Sequence, residues 1–260
     1  MDARPVGFFD SGLGGISVLR SALQLLPHEN YIYYGDNRNV PYGDRCEADI
    51  TRLTLACAHA LLEAGVKAIV IACNTATATC IRTIREELDV PVVSVEPAIK
   101  PACLAPGRGK VLMLATHATT RLARYLALQS RMPDPARVIN VPCPGLADRI
   151  EAGVFAEDAF DDLLDRYLKP YWGMAVDGVV LGCTHYVFIR DAIARYARLH
   201  FDGEARLYDG NDATALQLRH VLQEHGLLNG AGCGKTAFLT SGDACALQRL
   251  FDRLLYQSSF

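Results

Sequence analysis

The sequence predicts an α/β protein of two pseudo-symmetric α/β domains with mostly parallel sheets and an active site in the cleft between them. Three observations carry this. Apolar, partly β-branched runs alternate with helix-compatible stretches throughout, as in parallel sheets covered on both faces. Lys67–Thr79, reading Lys-Ala-Ile-Val-Ile-Ala-Cys-Asn-Thr-Ala-Thr-Ala-Thr, is such a strand passing into a helix, with Cys73 at its end. The same grammar returns nearly half a chain later in Gly178–Tyr186, Gly-Val-Val-Leu-Gly-Cys-Thr-His-Tyr, with Cys183 in the matching place. Open α/β sheets bind ligands at such strand ends.

Pro5–Phe9 reads as the first strand, ending at Asp10, before the turn Ser11–Gly15 and a helix through Leu26. Tyr31–Gly35 is the second strand, leading into Asp36-Asn37-Arg38-Asn39-Val40-Pro41-Tyr42-Gly43, a loop of turn formers. Asp44 is the expected N-cap of a helix to Ala64, closed by Gly65. The Cys73 strand and a helix to Leu88 follow, then a strand at Pro91–Val95 and a helix after Pro97. Gly107–Gly109 marks the crossover between halves. Beyond it come a strand at Lys110–Ala115, a helix carrying Tyr125, and a strand at Ala136–Val141. Helices reaching Glu151 and spanning Asp158–Leu168 precede the Cys183 strand and its helix. Arg206–Tyr208 and Lys235–Ser241 are the last strands, with helices at Asn211–His225 and Asp243–Tyr256. The expected division is 1–97 plus 210–260, carrying Asp10 and Cys73, and 98–209, carrying Cys183 and His185.

The 260 residues are 50% hydrophobic and 21% charged, with a net charge of −3. That balance suits a globular protein and offers no attraction for nucleic acid or an anionic membrane. No apolar run approaches the ~20 residues of a membrane span, and no cleavable leader is evident, so a cytoplasmic location is expected. The nine cysteines include no Cys-x-x-Cys pair, which argues against structural zinc and leaves no metal site expected. Most read as small buried apolar residues, with Cys46, Cys57, Cys80 and Cys103 inside helix-like patterns.

Two nucleotide-like patterns fail. Gly12-Leu13-Gly14-Gly15 places Ser17 where a dinucleotide fingerprint needs its third glycine. Gly234-Lys235-Thr236 has Asn229 at the first glycine of a P-loop and runs into a strand rather than out of one. Asp10 reads either as a helix N-cap or as a carboxylate held in the ligand crevice. Cys73-Asn74-Thr75 sets a thiol, an amide and a hydroxyl at a helix N-terminus, a position that favours thiolate. Cys183-Thr184-His185 sets an imidazole two residues from a thiol, where it can move that thiol's proton. Glu151, read alone, is a solvated helix carboxylate.

Six motifs in order, Asp10-Ser11-Gly-Leu-Gly-Gly, Pro41-Tyr42-Gly43, Ile-Ala-Cys73-Asn74-Thr75-Ala, Val-Glu96-Pro97-Ala-Ile-Lys-Pro, Cys143-Pro144-Gly145-Leu and Leu-Gly-Cys183-Thr184-His185-Tyr, resemble the motif series of bacterial glutamate racemases over nearly the whole chain. The departures are Asp36-Asn37-Arg38-Asn39-Val40, where the family usually carries a Thr-Ala pair, and Arg121, at a position often smaller.

The resemblance implies interconversion of L- and D-glutamate with no cofactor and no metal. Cys73 would deprotonate D-glutamate and Cys183 L-glutamate, with Asp10 assisting Cys73 and His185 assisting Cys183. Glu151 matches an additional acidic residue near the second cysteine. Ser11, Pro41, Tyr42, Gly43, Asn74, Thr75 and Thr184 would bind substrate together with Asp10 and His185, and Thr116, Thr119 and Thr120 are further candidates. The halves would close on substrate, the protein would form a homodimer, and D-glutamate would supply peptidoglycan synthesis. Family members under activator control carry an N-terminal extension, which is not expected here. An aspartate or hydantoin racemase, a non-catalytic amino-acid-binding protein and a dithiol redox protein are the alternatives.

Overall fold

The computed structural model describes residues 2–257; positions 1 and 258–260 of the expected first unit lie outside them. The chain begins β1 (Val6–Asp10), α1 (Ile16–Leu25), β2 (Tyr31–Gly35), α2 (Glu47–Glu63), β3 (Ala68–Ile71), α3 (Asn74–Glu87), β4 (Val92–Ser94) and α4 (Ile99–Leu104). It continues β5 (Lys110–Ala115), α5 (His117–Arg121), α6 (Ala123–Ser130), β6 (Val138–Pro142), α7 (Leu146–Glu151), α8 (Asp161–Leu168), β7 (Val176–Leu181), α9 (Arg190–His200) and β8 (Arg206–Tyr208). α10 (Asn211–Glu224), β9 (Thr236–Thr240) and α11 (Ala244–Tyr256) follow.

The strands form two sheets, ordered β4-β3-β1-β2-β9 and β6-β5-β7-β8. Every strand pairing is parallel. Read from the second strand of each half, β2-β1-β3-β4 and β6-β5-β7-β8 have the same order. β9 is an addition on the β2 edge. Cys73 follows β3 and Cys183 follows β7, so the two cysteines leave equivalent strands of equivalent sheets.

Burial on both faces explains the unbroken apolar runs. All of β1 and β3 is buried. Successive side chains point to opposite faces, so Val6, Phe8 and Val70 enter one core while Phe9, Ile69 and Ile71 pack under α2 and α3. The first of these cores also takes Leu112, Leu114, Val179 and Leu181 from the second sheet. The inner faces of both sheets therefore share one apolar interior. Val111, Met113 and Val180 face outward beneath α4 and α6. Each such side chain contributes ~1.5–3 kcal/mol on full burial.

Two local expectations change. Asp44 does not cap α2; Tyr42–Asp44 forms its own 3-10 turn, and Cys46 occupies the N-cap position. Glu47 and Asp49 in the first turn complement the helix dipole instead. The helix carrying Tyr125 is broken at Leu122, whose extended backbone separates α5 from α6. Gly65 does close α2, with φ of 79°.

The N-terminal end of the first sheet carries a buried ion pair. Lys67 Nζ lies 2.6 Å from Glu29 Oε2, and donates to the carbonyls of Asp2 and Leu227 at 2.7 Å each. Glu29 Oε1 accepts the Asn229 N–H at 2.7 Å. The ammonium thus has two carbonyl acceptors and an adjacent carboxylate charge, and the cluster ties the segment leading to β9 to the sheet.

Candidate active site

The opposite, C-terminal ends of the strands converge on a small cavity. Ser11, Pro41, Tyr42, Gly43, Cys73, Asn74, Thr75, Thr116, Cys183, Thr184 and His185 line it, with Val40 and Ala147. It offers about 20 Å³ to the centre of a water-sized sphere, room for about one water molecule.

Cys73 is the N-cap of α3 and is 5% exposed. Its Sγ donates to Ser11 Oγ at 3.5 Å and accepts the Ala76 N–H at 3.5 Å. The helix N-terminus does not leave it a thiolate, as its position in the sequence suggested. Burial, then the charge of Asp10, push the thiol up to about 12.

Asp10 is wholly buried at the end of β1. It does not cap α1, whose N-cap is Gly15. Asp10 Oδ1 accepts the Gly12 N–H at 2.9 Å, and Oδ2 accepts the Thr184 hydroxyl at 3.1 Å. Burial raises its carboxyl above the usual carboxylate range.

Cys183 opens the 3-10 turn Thr184–Ile189, which folds His185 back on it. Cys183 Sγ and His185 Nδ1 are 3.6 Å apart. His185 Nε2 lies 2.6 Å from Glu151 Oε1. Burial alone would lower the imidazole pKa, but hydrogen bonds with Cys183 and Glu151 outweigh it and hold it well above the ordinary histidine value.

Glu151, which alone reads as surface, has only 11% of its side chain exposed. Oε1 also accepts the Leu13 N–H at 2.5 Å, and Oε2 accepts Asn37 Nδ2 at 3.0 Å. The glycine turn after β1 admits this packing. A Cβ on Gly12 would strike the Glu151 carboxylate, and one on Gly14 the His185 ring.

The remaining polar residues form two groups. Thr75 Oγ1 lies 3.0 Å from Thr116 Oγ1 and 3.2 Å from Thr119 Oγ1, joining the two sheets' loops through hydroxyls. Thr120 stands apart, donating to the His117 carbonyl at 3.0 Å. Tyr42 donates to Asp36 Oδ2 at 2.7 Å. Asn74 is buried, and its Oδ1 has no hydrogen-bond partner among the described residues.

Sequence reasoning missed Asp36 and Asn37. Both lie in a loop legible only as turn formers: Asn37 meets Glu151 and Thr240 far off in the chain, and Asp36 joins distant Ser241 to its near neighbours Asn39 and Tyr42. The described residues contain no cluster of three or more His, Cys, Asp or Glu suited to a metal. No described helix is long and apolar enough to cross a membrane.

The model of the Asp/Glu/Hydantoin racemase family matches residues 15–218. The chain is 41% identical over 224 residues to a glutamate racemase of Clostridium perfringens, covering 86% of this chain and 85% of that one. It superposes on the Francisella tularensis glutamate racemase in complex with D-glutamate with a TM-score of 0.83 and 27% identity, covering 100% and 97% of the two chains. For the Escherichia coli glutamate racemase in complex with L-glutamate and the activator UDP-MurNAc-ala, the TM-score is 0.81 at 31% identity, covering 96% and 95%. The chain belongs to the Asp/Glu/Hydantoin racemase family, on its glutamate racemase branch.

Proposed function

We infer that this protein is an isomerase that interconverts L- and D-glutamate, with Cys73 and Cys183 as the two acid–base groups on opposite faces of the substrate Cα. The observation that carries the reading is that both thiols line one cavity from equivalent strands of two like-ordered sheets. Racemisation needs a base on one face of Cα and an acid on the other, and two similar groups suit a reaction between states of equal free energy. Cys73 takes the proton of D-glutamate and Cys183 that of L-glutamate. The group opposite returns a proton to the carbanion-like centre.

His185 accepts or returns the Cys183 proton through Nδ1, while Glu151 stabilises the imidazolium through Nε2. Asp10 holds Thr184 and the turn at Gly12, and its charge opposes thiolate at Cys73 until the substrate ammonium enters. The orphan Asn74 Oδ1 suits that ammonium, since a buried acceptor left unpaired costs ~1–3 kcal/mol. Ser11, Thr75, Thr184 and the Pro41-Tyr42-Gly43 turn supply donors and walls for the carboxylates, with Thr116 and Thr119 behind Thr75. The cavity is smaller than glutamate, so the units 1–97 plus 210–260 and 98–209 open for entry and close for chemistry. Closure leaves preorganised donors in a water-poor site, which stabilises developing charge. The protein works as a cytoplasmic homodimer supplying D-glutamate for peptidoglycan.

The test is loss of optical rotation from D-glutamate, followed by circular dichroism with no cofactor added. Turnover of L-aspartate in preference to L-glutamate would move the assignment to another branch of the family. Size-exclusion with light scattering reads the dimer.

A further inference from the structure

In the loop after β2, the Asn37 side chain joins three parts of the molecule. Asn37 Nδ2 donates to Glu151 Oε2 at 3.0 Å. Asn37 Oδ1 accepts the Thr240 hydroxyl at 2.9 Å. Thr240 Oγ1 in turn accepts the Gly242 N–H at 3.0 Å. The directions are consistent: Thr240 receives one proton and gives its own, so the oxygen of the Asn37 amide faces Thr240 and its NH2 faces the carboxylate.

We propose that Asn37 is a positioning residue for the second acid–base group, fixing Glu151, and through it His185, from the added strand β9. The proposal rests on the two-thiol reading above. Glu151 Oε1 is shared by Leu13 N–H and His185 Nε2, whereas Asn37 is the donor to Oε2 among the described residues. A carboxylate torsion is broad and two-fold, so a donor on each oxygen is what fixes its plane. With the plane fixed, Oε1 accepts the His185 Nε2–H, which in the neutral ring leaves Nδ1 as the acceptor facing the Cys183 sulfur. Without Asn37 the carboxylate can turn, and the proton shared by Cys183 and His185 loses its compensating charge.

The consequence is asymmetric, but thermodynamics limits where the asymmetry appears. The enantiomers have equal free energy, so kcat/KM must fall equally in both directions. Primary isotope effects are free of that constraint. When the Cys183 step becomes the higher barrier, the effect on kcat/KM rises with [2-²H]-L-glutamate and falls toward unity with [2-²H]-D-glutamate.

The experiment uses Asn37→Leu, of similar volume, and Thr240→Val, which leaves the amide but removes the hydroxyl that orients it. Asn37→Leu is expected to lower kcat/KM on the order of tenfold, the scale of one hydrogen bond to a charged group. The isotope effects should split in the stated sense, and the pH profile of kcat should shift. Thr240→Val should give the same split more weakly, and it tests the proposal even where Asn37→Leu fails to fold. Equal isotope effects with an unmoved pH profile in a folded variant would overturn the proposal and reduce Asn37 to a loop brace. Cys183→Ser run alongside separates the two levels: full turnover there removes the two-thiol reading itself.

Discussion

Cys73 and Cys183 occupy the same place in two sheets of the same strand order, yet their surroundings differ in kind. Around Cys73 the partners are neutral, the Ser11 hydroxyl and the Ala76 amide, and the nearby Asp10 charge opposes thiolate. Cys183 instead faces an imidazole backed by a carboxylate. Repeated topology delivers two thiols to one cavity, and the neighbours then give them different company: burial and the Asp10 charge raise the Cys73 thiol, while Cys183 lies 3.6 Å from an imidazole that Glu151 holds from its other side.

The largest break in this comparison is removal of either thiol. Cys73→Ser and Cys183→Ser should each lower turnover by ~10²–10⁴, the usual reach of a general acid or base. Solvent deuterium exchange should be impaired unequally for the two enantiomers. Wild-type turnover in either variant would end the two-base account.

A smaller perturbation alters one neighbour at a time. His185→Asn should cost ~10² in kcat/KM and move the pH profile. Asp10→Asn should bring the Cys73 thiol down from about 12 toward the ordinary ~8.5. Thiolate absorbance at 240 nm reads this, as the difference between Asp10→Asn and its double variant with Cys73→Ser. An unmoved titration would show that burial alone sets the Cys73 value.

The same groups leave a signature in stability. The His185 pKa is raised on folding, so its contribution is fully present below the unfolded value of ~6.5 and is lost as pH rises through the folded value. Cys73 is an acid whose pKa is also raised, so folding loses stability as pH climbs from the unfolded thiol value to about 12. Urea unfolding across pH should show both slopes, with His185→Asn flattening the first and Cys73→Ser reducing the second by one thiol's share, since burial raises Cys57, Cys80, Cys103 and Cys143 as well.

The smallest effect on turnover belongs to Lys67, at the other end of the strand that carries Cys73. Lys67→Met should destabilise the fold by ~3–5 kcal/mol, because it leaves Glu29 buried and unpaired. Below its melting range the variant should racemise at the wild-type rate. A loss of activity in folded Lys67→Met would tie the two ends of β3 together.

The strand-and-helix order was legible because each sheet is covered on both faces, which writes β1, β3, β5 and β7 as apolar runs. Cys73 and Cys183 were legible because each closes such a run. Glu151 was not, since its burial comes from Leu13, Asn37 and His185, brought over it by tertiary packing. Asn37 was hidden for the same reason, since its partners Glu151 and Thr240 lie far off in the chain. The Asp44 expectation failed because turn chemistry at Tyr42–Asp44 competes with capping, and the chain turns once more before α2 begins. The break at Leu122 had no marker, as neither glycine nor proline stands there.

The strand that completes the first sheet is the last of the described strands to be made. β9, at Thr236–Thr240, pairs with β2, at Tyr31–Gly35, so the ribosome delivers every strand of the second sheet before the first can close its edge. Contacts so far apart in sequence form slowly. Until they form, β2 has an open edge and Asn37 lacks Thr240. A nascent chain can therefore hold both cysteines in folded surroundings and still lack the last brace of the Glu151 network, and its activity should rise further once β9 has joined β2.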